Sequence, residues 1–122
     1  MSAPTTAQYA GLAALREGEQ YCIEMVAEYD RRRKTIVAGL NAIGLPTFEP
    51  QGAFYAFPRI AHLGLSSEEF CERLLQEQHV AIIPGNVFGP SGDGFARACY
   101  AASMDKIAAA LDRIERFVRS VS

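Results

Sequence analysis

The sequence predicts an α+β fold, a small and mostly antiparallel sheet covered by helices and preceded by a long helix. Three observations carry this expectation. Apolar residues at helical spacing dominate the first third of the chain, short apolar or aromatic runs bounded by Pro and Gly follow, and helical stretches separate and end those runs. At 122 residues the chain has the size of one domain with a core of its own.

The elements follow in order. Residues 5–16 are mostly good helix formers, with Ala7, Ala10, Ala14 and Leu15 as apolar positions, and Gly18 marks a break. Cys22, Val26, Tyr29, Ile36, Leu40 and Ile43 recur at helical steps and predict a helix over 19–43, with Arg33 on the same stripe. Gly44 and Pro46 are placed to stop it. Thr47-Phe48-Glu49 reads as a short strand, Pro50-Gln51-Gly52 as a turn, and Ala53-Phe54-Tyr55-Ala56-Phe57 as a second strand ended by Pro58. Ser66 and Glu69 form a capping box, opening a helix over 66–78 that buries Phe70, Cys71, Leu74 and Leu75. Val80-Ala81-Ile82-Ile83 is predicted to be a buried strand, and residues 95–100 a fourth. Ser103 caps a last helix over 104–120, with Ile107, Leu111, Ile114, Val118 and Val121 as its apolar stripe. Residues 1–44 are thus expected to form a helical segment and 45–122 the α+β part, together one structural unit.

Composition removes several function classes. With 49% hydrophobic and 21% charged residues the chain matches ordinary globular proteins. A net charge of -2 gives no reason to expect nucleic acid or an anionic membrane as partner. No apolar stretch approaches the roughly 20 residues that span a bilayer, and no secretory leader pattern opens the sequence. Cys22, Cys71 and Cys99 lack metal or redox spacing and are expected to be buried fillers in a reducing, cytoplasmic setting.

Arg97 is the residue with chemical content. It lies in Phe95-Ala96-Arg97-Ala98-Cys99-Tyr100-Ala101, an apolar run that follows a glycine-rich loop over 84–94. A guanidinium is always charged and needs an anion, supplied either by a carboxylate of the protein or by one of a ligand. Alternation puts Phe95, Arg97 and Cys99 on one strand face and Ala96, Ala98 and Tyr100 on the other. The remaining features read as structural. The loop lacks the lysine and following helix of a phosphate-binding P-loop. Arg31-Arg32-Arg33-Lys34 is flanked by acids and fits a solvated helix face. His62 falls in a loop and His79 at a helix end, near the negative pole of the dipole. Gly52, Phe54 and Tyr55 fit a turn and core strand, or a pocket wall to which glycine lets a ligand come close.

Three segments together carry a resemblance. Gln51-Gly52-Ala53-Phe54-Tyr55-Ala56-Phe57-Pro58, then 80–89 and then 95–101, in that order, resemble the carboxy-terminal third of a class I/II aminotransferase, a fold-type I pyridoxal-phosphate enzyme. Ala3-Pro4-Thr5-Thr6-Ala7-Gln8-Tyr9-Ala10 and Tyr29-Asp30-Arg31-Arg32-Arg33 are similar to the segment leading to that family's small domain. The resemblance implies that Arg97 clamps the α-carboxylate of an amino-acid or 2-oxo-acid substrate, with Gly52 and Phe54 lining the pocket. Ala96, Ala98 and Cys99 depart from the family's branched or hydroxyl residues beside that arginine.

The family also needs a Schiff-base lysine for pyridoxal 5'-phosphate, in a Ser-x-x-Lys setting. Lys34 and Lys106, the two lysines here, lie in other settings, and no motif for the pyridine nitrogen or the phosphate is present. The resemblance therefore places those groups upstream, in a large domain, with no cofactor expected on this chain alone and no transamination by it. Exposure of the first helix predicts self-association. An autonomous, non-catalytic binding or assembly module of the same fold is the competing expectation.

Overall fold

The computed structural model describes residues 2–122. The chain divides into two compact units, residues through Arg31 and Arg32–Ser122. In the first, α1 (Thr5–Glu17) begins behind Pro4, whose carbonyl accepts the Gln8 amide, and stops at Gly18. The next helix, α2 (Glu19–Ala42), resumes at once. None of the side chains of α1 is buried, and Leu15 is 89% exposed. Cys22 and Val26, expected in a buried seam, are exposed too; in α2 burial begins only at Ile36.

The second unit holds the core. Ile36 and Leu40 of α2 are buried, and Gly39 faces Leu111, whose Cδ1 would lie 2.5 Å from a Cβ at that position. Gly44, at φ +91°, ends the helix; the Leu45 amide donates back to the Leu40 carbonyl at 3.0 Å, as in a Schellman cap. α3 (Ser67–Gln78) starts where the capping residues place it, with the Ser66 hydroxyl accepting the Glu69 amide at 3.1 Å. His79, at φ +55°, ends it. Phe70, Cys71 and Leu74 are buried as the periodicity predicts, whereas Leu75 is half exposed.

The last helix, α4 (Met104–Val121), buries Ile107, Ile114, Phe117 and Val118. Ser103 stands at its N-cap, but its hydroxyl makes no capping bond. Phe117, absent from the predicted stripe, is its most enclosed side chain and meets Phe70 of α3 edge to face at 5.3 Å. Such geometry is favoured by the ring quadrupoles.

The sheet is smaller than predicted. It comprises β1 (Tyr55–Ala56), β2 (Ile83–Pro84) and β3 (Ala96–Cys99) in the order β1-β3-β2, both pairs antiparallel. The expected strand at 47–49 does not form. The Asn41 side chain accepts the Thr47 amide at 3.0 Å and donates to the Thr47 carbonyl at 3.1 Å, so both backbone groups are satisfied without a ladder. The 53–57 expectation shrinks because Ala53 takes a left-handed conformation, φ +59°, and Phe54 belongs to the turn. Val80, Ala81 and Ile82 lie outside the ladder, which β2 joins only at Ile83.

The cysteines also need correction. All three are free, but only Cys71 is buried; Cys22 and Cys99 are exposed. Cys22 lies on the part of α2 with no buried side chain, and Cys99 on the open face of β3. Burial pushes the Cys71 thiol up from 9.0 to about 11. A raised acid favours the fold while the thiol of the unfolded chain stays protonated, so this contribution is complete below about pH 9 and fades as pH climbs toward 11. Alkylation at pH 8 should modify Cys22 and Cys99 in the native protein and reach Cys71 only after denaturation; peptide mass mapping would show this, and rapid native labelling of Cys71 would contradict the packing.

Candidate functional site

The central strand, β3, decides which way each side chain points. Ala96, Ala98 and Tyr100 face the core and are buried. Arg97 and Cys99 therefore emerge on the opposite face, as alternation predicts. Tyr55 pairs with Cys99 across β1 and β3, which makes it the diagonal neighbour of Arg97 on that face. Arg97 itself pairs with Ile83 of β2 on the other side.

Two rings meet the guanidinium. Its Cζ lies 4.2 Å from the Tyr55 ring centroid and 4.4 Å from that of Phe88. The rings approach from the two strands that flank β3, one from β1 and one from the turn after β2. Each contact lies within cation–π range and contributes about 0.5–2 kcal/mol, depending on how dry it is. Phe88 is in turn met edge-on by Phe57 at 6.3 Å, and Phe57 stacks on Phe95 at 5.5 Å.

No carboxylate answers Arg97 among the described residues. Its Nε is buried and has no hydrogen-bond partner. Both rings lie within cation–π range of the guanidinium carbon and supply no anion for its N–H groups. The fork is thus held by hydrocarbon and π surface, with donors left for an anion. That is the arrangement a carboxylate recognises bidentately.

The glycine-rich loop positions Phe88. It forms two three-ten turns, Gly85–Phe88 and Pro90–Gly92. The Gly85 amide donates to the Phe95 carbonyl at 2.9 Å, and a Cβ on Gly85 would fall 2.1 Å from the Gly92 carbonyl oxygen. A Cβ on Gly92 would fall 2.0 Å from the Gly85 oxygen, so the loop closes on itself only because both are glycine. Ser67, buried at the start of α3, accepts the Gly94 amide at 2.9 Å, and Asn86 donates to Glu68 at 3.1 Å. These bonds tie the loop to the start of α3.

The other sequence candidates fall as follows. Phe54 precedes β1 and lies against Tyr55, ring centroids 4.6 Å apart; Tyr55 is the residue that touches Arg97. Gly52 is exposed, with no atom within 4 Å of where its Cβ would be. The Tyr100 hydroxyl donates to the Ala53 carbonyl at 3.1 Å, which anchors the turn in front of β1. Burial raises the Tyr100 phenol above its ordinary value, and nearby Arg33 partly offsets this. Arg31, paired with Glu28 at 2.9 Å, is solvated as expected of a charged run, whereas Arg33, paired with Glu49, has a side chain only 18% exposed. His62 lies in a three-ten turn, and His79 at the end of α3. Sequence reasoning missed Phe88, whose direction depends on the closure of the loop.

The two lysines are exposed, Lys34 on α2 and Lys106 in the first turn of α4. Lys106 borders a cavity of about 110 Å³ otherwise walled by groups such as Ile36, Ile107, Leu111 and Ile114. Lys106 also lines a second pocket of about 410 Å³, together with His79, Ala109 and Arg113. Among the described residues no cluster of side chains could hold a metal ion, and no helix is long and apolar enough to cross a membrane.

Comparison with known proteins gives the family. A family model described as aminotransferase class I and II matches residues 1–114. The chain belongs to that family. It is 47% identical over its whole length to a putative aminotransferase, YugH, of Bacillus subtilis, covering 32% of that protein. It is 48% identical over 94% of its length to an aspartate aminotransferase of Pyrococcus abyssi, covering 30% of it. Among solved structures, the aromatic aminotransferase of Pyrococcus horikoshii superposes with a TM-score of 0.88 at 44% identity, over 94% of this chain and 32% of that one. An alanine aminotransferase of Pyrococcus furiosus gives a TM-score of 0.89 at 36% identity, over 95% and 30%. The chain thus spans about a third of the length of the relatives it matches, and its α+β fold is that of aminotransferases.

Replacing Gly85 with alanine should force the loop open. A Cβ cannot coexist with the Gly92 carbonyl at 2.1 Å, so Gly85→Ala is expected to cost about 2–3 kcal/mol and to release Phe88 from Arg97. Chemical denaturation measures the first effect; a midpoint equal to that of the parent protein would contradict the loop geometry.

Proposed function

We propose that this chain is the carboxy-terminal, substrate-binding part of a pyridoxal-phosphate-dependent aminotransferase, and that Arg97 clamps the α-carboxylate of its amino-acid and 2-oxo-acid substrates. One observation carries the reading: a half-buried guanidinium without a protein carboxylate, its Nε unpartnered, stands on the open face of β3 in a chain of the aminotransferase family. The names of its relatives mention aspartate, aromatic amino acids and alanine, and these substrates share the α-carboxylate that a planar fork reads.

Arg97 orients rather than reacts. Two parallel N–H···O bonds fix the carboxylate plane and thereby the direction of the Cα substituents. Gly52 and Phe54, on the turn before β1, are assigned to the wall of that carboxylate site, on the ground that Phe54 lies against Tyr55, whose ring meets Arg97. Pyridoxal phosphate supplies the electron sink for chemistry at Cα. It belongs to the large domain of the complete enzyme, together with the lysine that holds it. Residues 1–44 connect that domain to 45–122. Three free cysteines suit a reducing, cytoplasmic setting.

In the complete enzyme, Arg97→Leu should lower kcat/KM by about 10²–10⁴, since two charge-assisted hydrogen bonds of roughly 1.5–3 kcal/mol each are lost. Steady-state kinetics with the fold checked by circular dichroism tests this, and a change below threefold would refute the clamp. Transamination by this chain alone, supplied with pyridoxal phosphate and amino acid, would show instead that the large domain is dispensable.

The first unit exposes Tyr9, Leu15, Tyr21, Ile23, Met25 and Val26. Apolar surface of this extent marks a face meant for protein. The isolated chain is expected to pair with itself through it; light scattering at rising concentration should show a dimer or larger species, and a strict monomer would count against the pairing.

A further inference from the structure

We infer that Tyr55 and Phe88 are positioning residues, whose rings hold the Arg97 guanidinium in the plane in which it receives a carboxylate. The inference rests on the carboxylate reading of Arg97 and adds what keeps the fork in place before a substrate arrives.

An arginine side chain has several rotatable bonds, and a carboxylate of the protein is one way to fix its head. Arg97 has none among the described residues, and its Nε is buried without an acceptor. An anchoring acid would also compete with the substrate for the same donors. Rings solve this differently. They attract the cation through their faces and place no acid that would compete for its N–H groups. Contacts of 4.2 Å to Tyr55 and 4.4 Å to Phe88 restrict rotation of that plane from both flanking strands. Neither ring depends on the substrate for its own place. Tyr55 is fixed by pairing with Cys99, and Phe88 by the Gly85–Gly92 closure and by Phe57. The ordering cost of the clamp is met in the fold and not on binding.

The test uses the complete enzyme with L-aspartate, L-phenylalanine and L-alanine as amino donors, followed with whichever is turned over fastest. Tyr55→Leu and Phe88→Leu should each raise KM about tenfold with a smaller change in kcat, because the fork must be ordered at binding. Tyr55→Phe and Phe88→Tyr keep a ring and should restore KM to within threefold of the parent. Selective nitrogen-15 labelling of arginine gives a second readout that needs neither ring variant to fold. The Arg97 Nε–H resonance, assigned from its loss in Arg97→Lys, should lie upfield through ring currents in the unsubstituted enzyme. Leucine variants with unchanged KM, beside an Arg97→Leu that is impaired, would overturn the positioning role and leave the carboxylate clamp standing. An unshifted Arg97 resonance would overturn it as well. Failure of all three donors, or an unimpaired Arg97→Leu, would overturn the clamp and the positioning role together, and the ring-current shift would still report whether the rings hold the arginine.

Discussion

The alternation of β3 is the constraint from which the candidate site follows. Ala96, Ala98 and Tyr100 are committed to the core, where two small residues let the strand lie close to its neighbours and the tyrosine fills the remaining space. That commitment leaves Arg97 no inward option. A slip of one residue in register would bury the guanidinium and expose Tyr100, at the combined cost of a desolvated charge and a lost aromatic contact. Packing of an apolar face thereby fixes the direction of a charged side chain that contributes nothing to the core itself.

Positioning of the second ring is a property of loop chemistry rather than of the sheet. Gly85 and Gly92 approach more closely than any other residue pair would permit, and Ser67 reaches from the start of α3 to take the Gly94 amide. The same helix end supplies Glu68 to Asn86. A loop of eleven residues, 84–94, is therefore held at both ends and across its middle. The ring of Phe88 is delivered to Arg97 by backbone closure, and Phe57 and Phe95 back it from the sheet.

Helices were legible in the sequence because their ends are written in local chemistry. Gly18, Gly44 and Ser66 each act within a few residues of their own position, and the structure starts or stops helices where they stand. Strands were less legible because their extent depends on partners far along the chain. Thr47 has the β-branched character of a strand residue, yet the Asn41 amide, six residues earlier, takes both of its backbone groups. Val80 is buried like a strand residue but lies outside the ladder. At the site, the orientation of Arg97 and its relation to Tyr55 follow from a period of two, whereas Phe88 lies nine residues away on a turn whose closure no local pattern announces. The stripe on the first half of α2 is real in sequence and unburied in the structure, since periodicity states which face is apolar and not what covers it.

An arginine without a carboxylate is a costly way to build a sheet, and that cost bears on its purpose. An unsatisfied buried donor such as the Arg97 Nε costs about 1–3 kcal/mol, much the same as two cation–π contacts return, so the rings can hold the arginine but leave its hydrogen bond unmade. A glutamate in place of a neighbouring surface residue such as Ile83, which pairs with Arg97 and is 39% exposed, would pair with the fork and relieve the deficit. Selection for stability alone would favour that residue, and the protein instead carries an aliphatic side chain there. Sites that break a local rule without gain in the fold are those where function holds the residue. The donor left open on Arg97 is the group that the proposed carboxylate clamp would use.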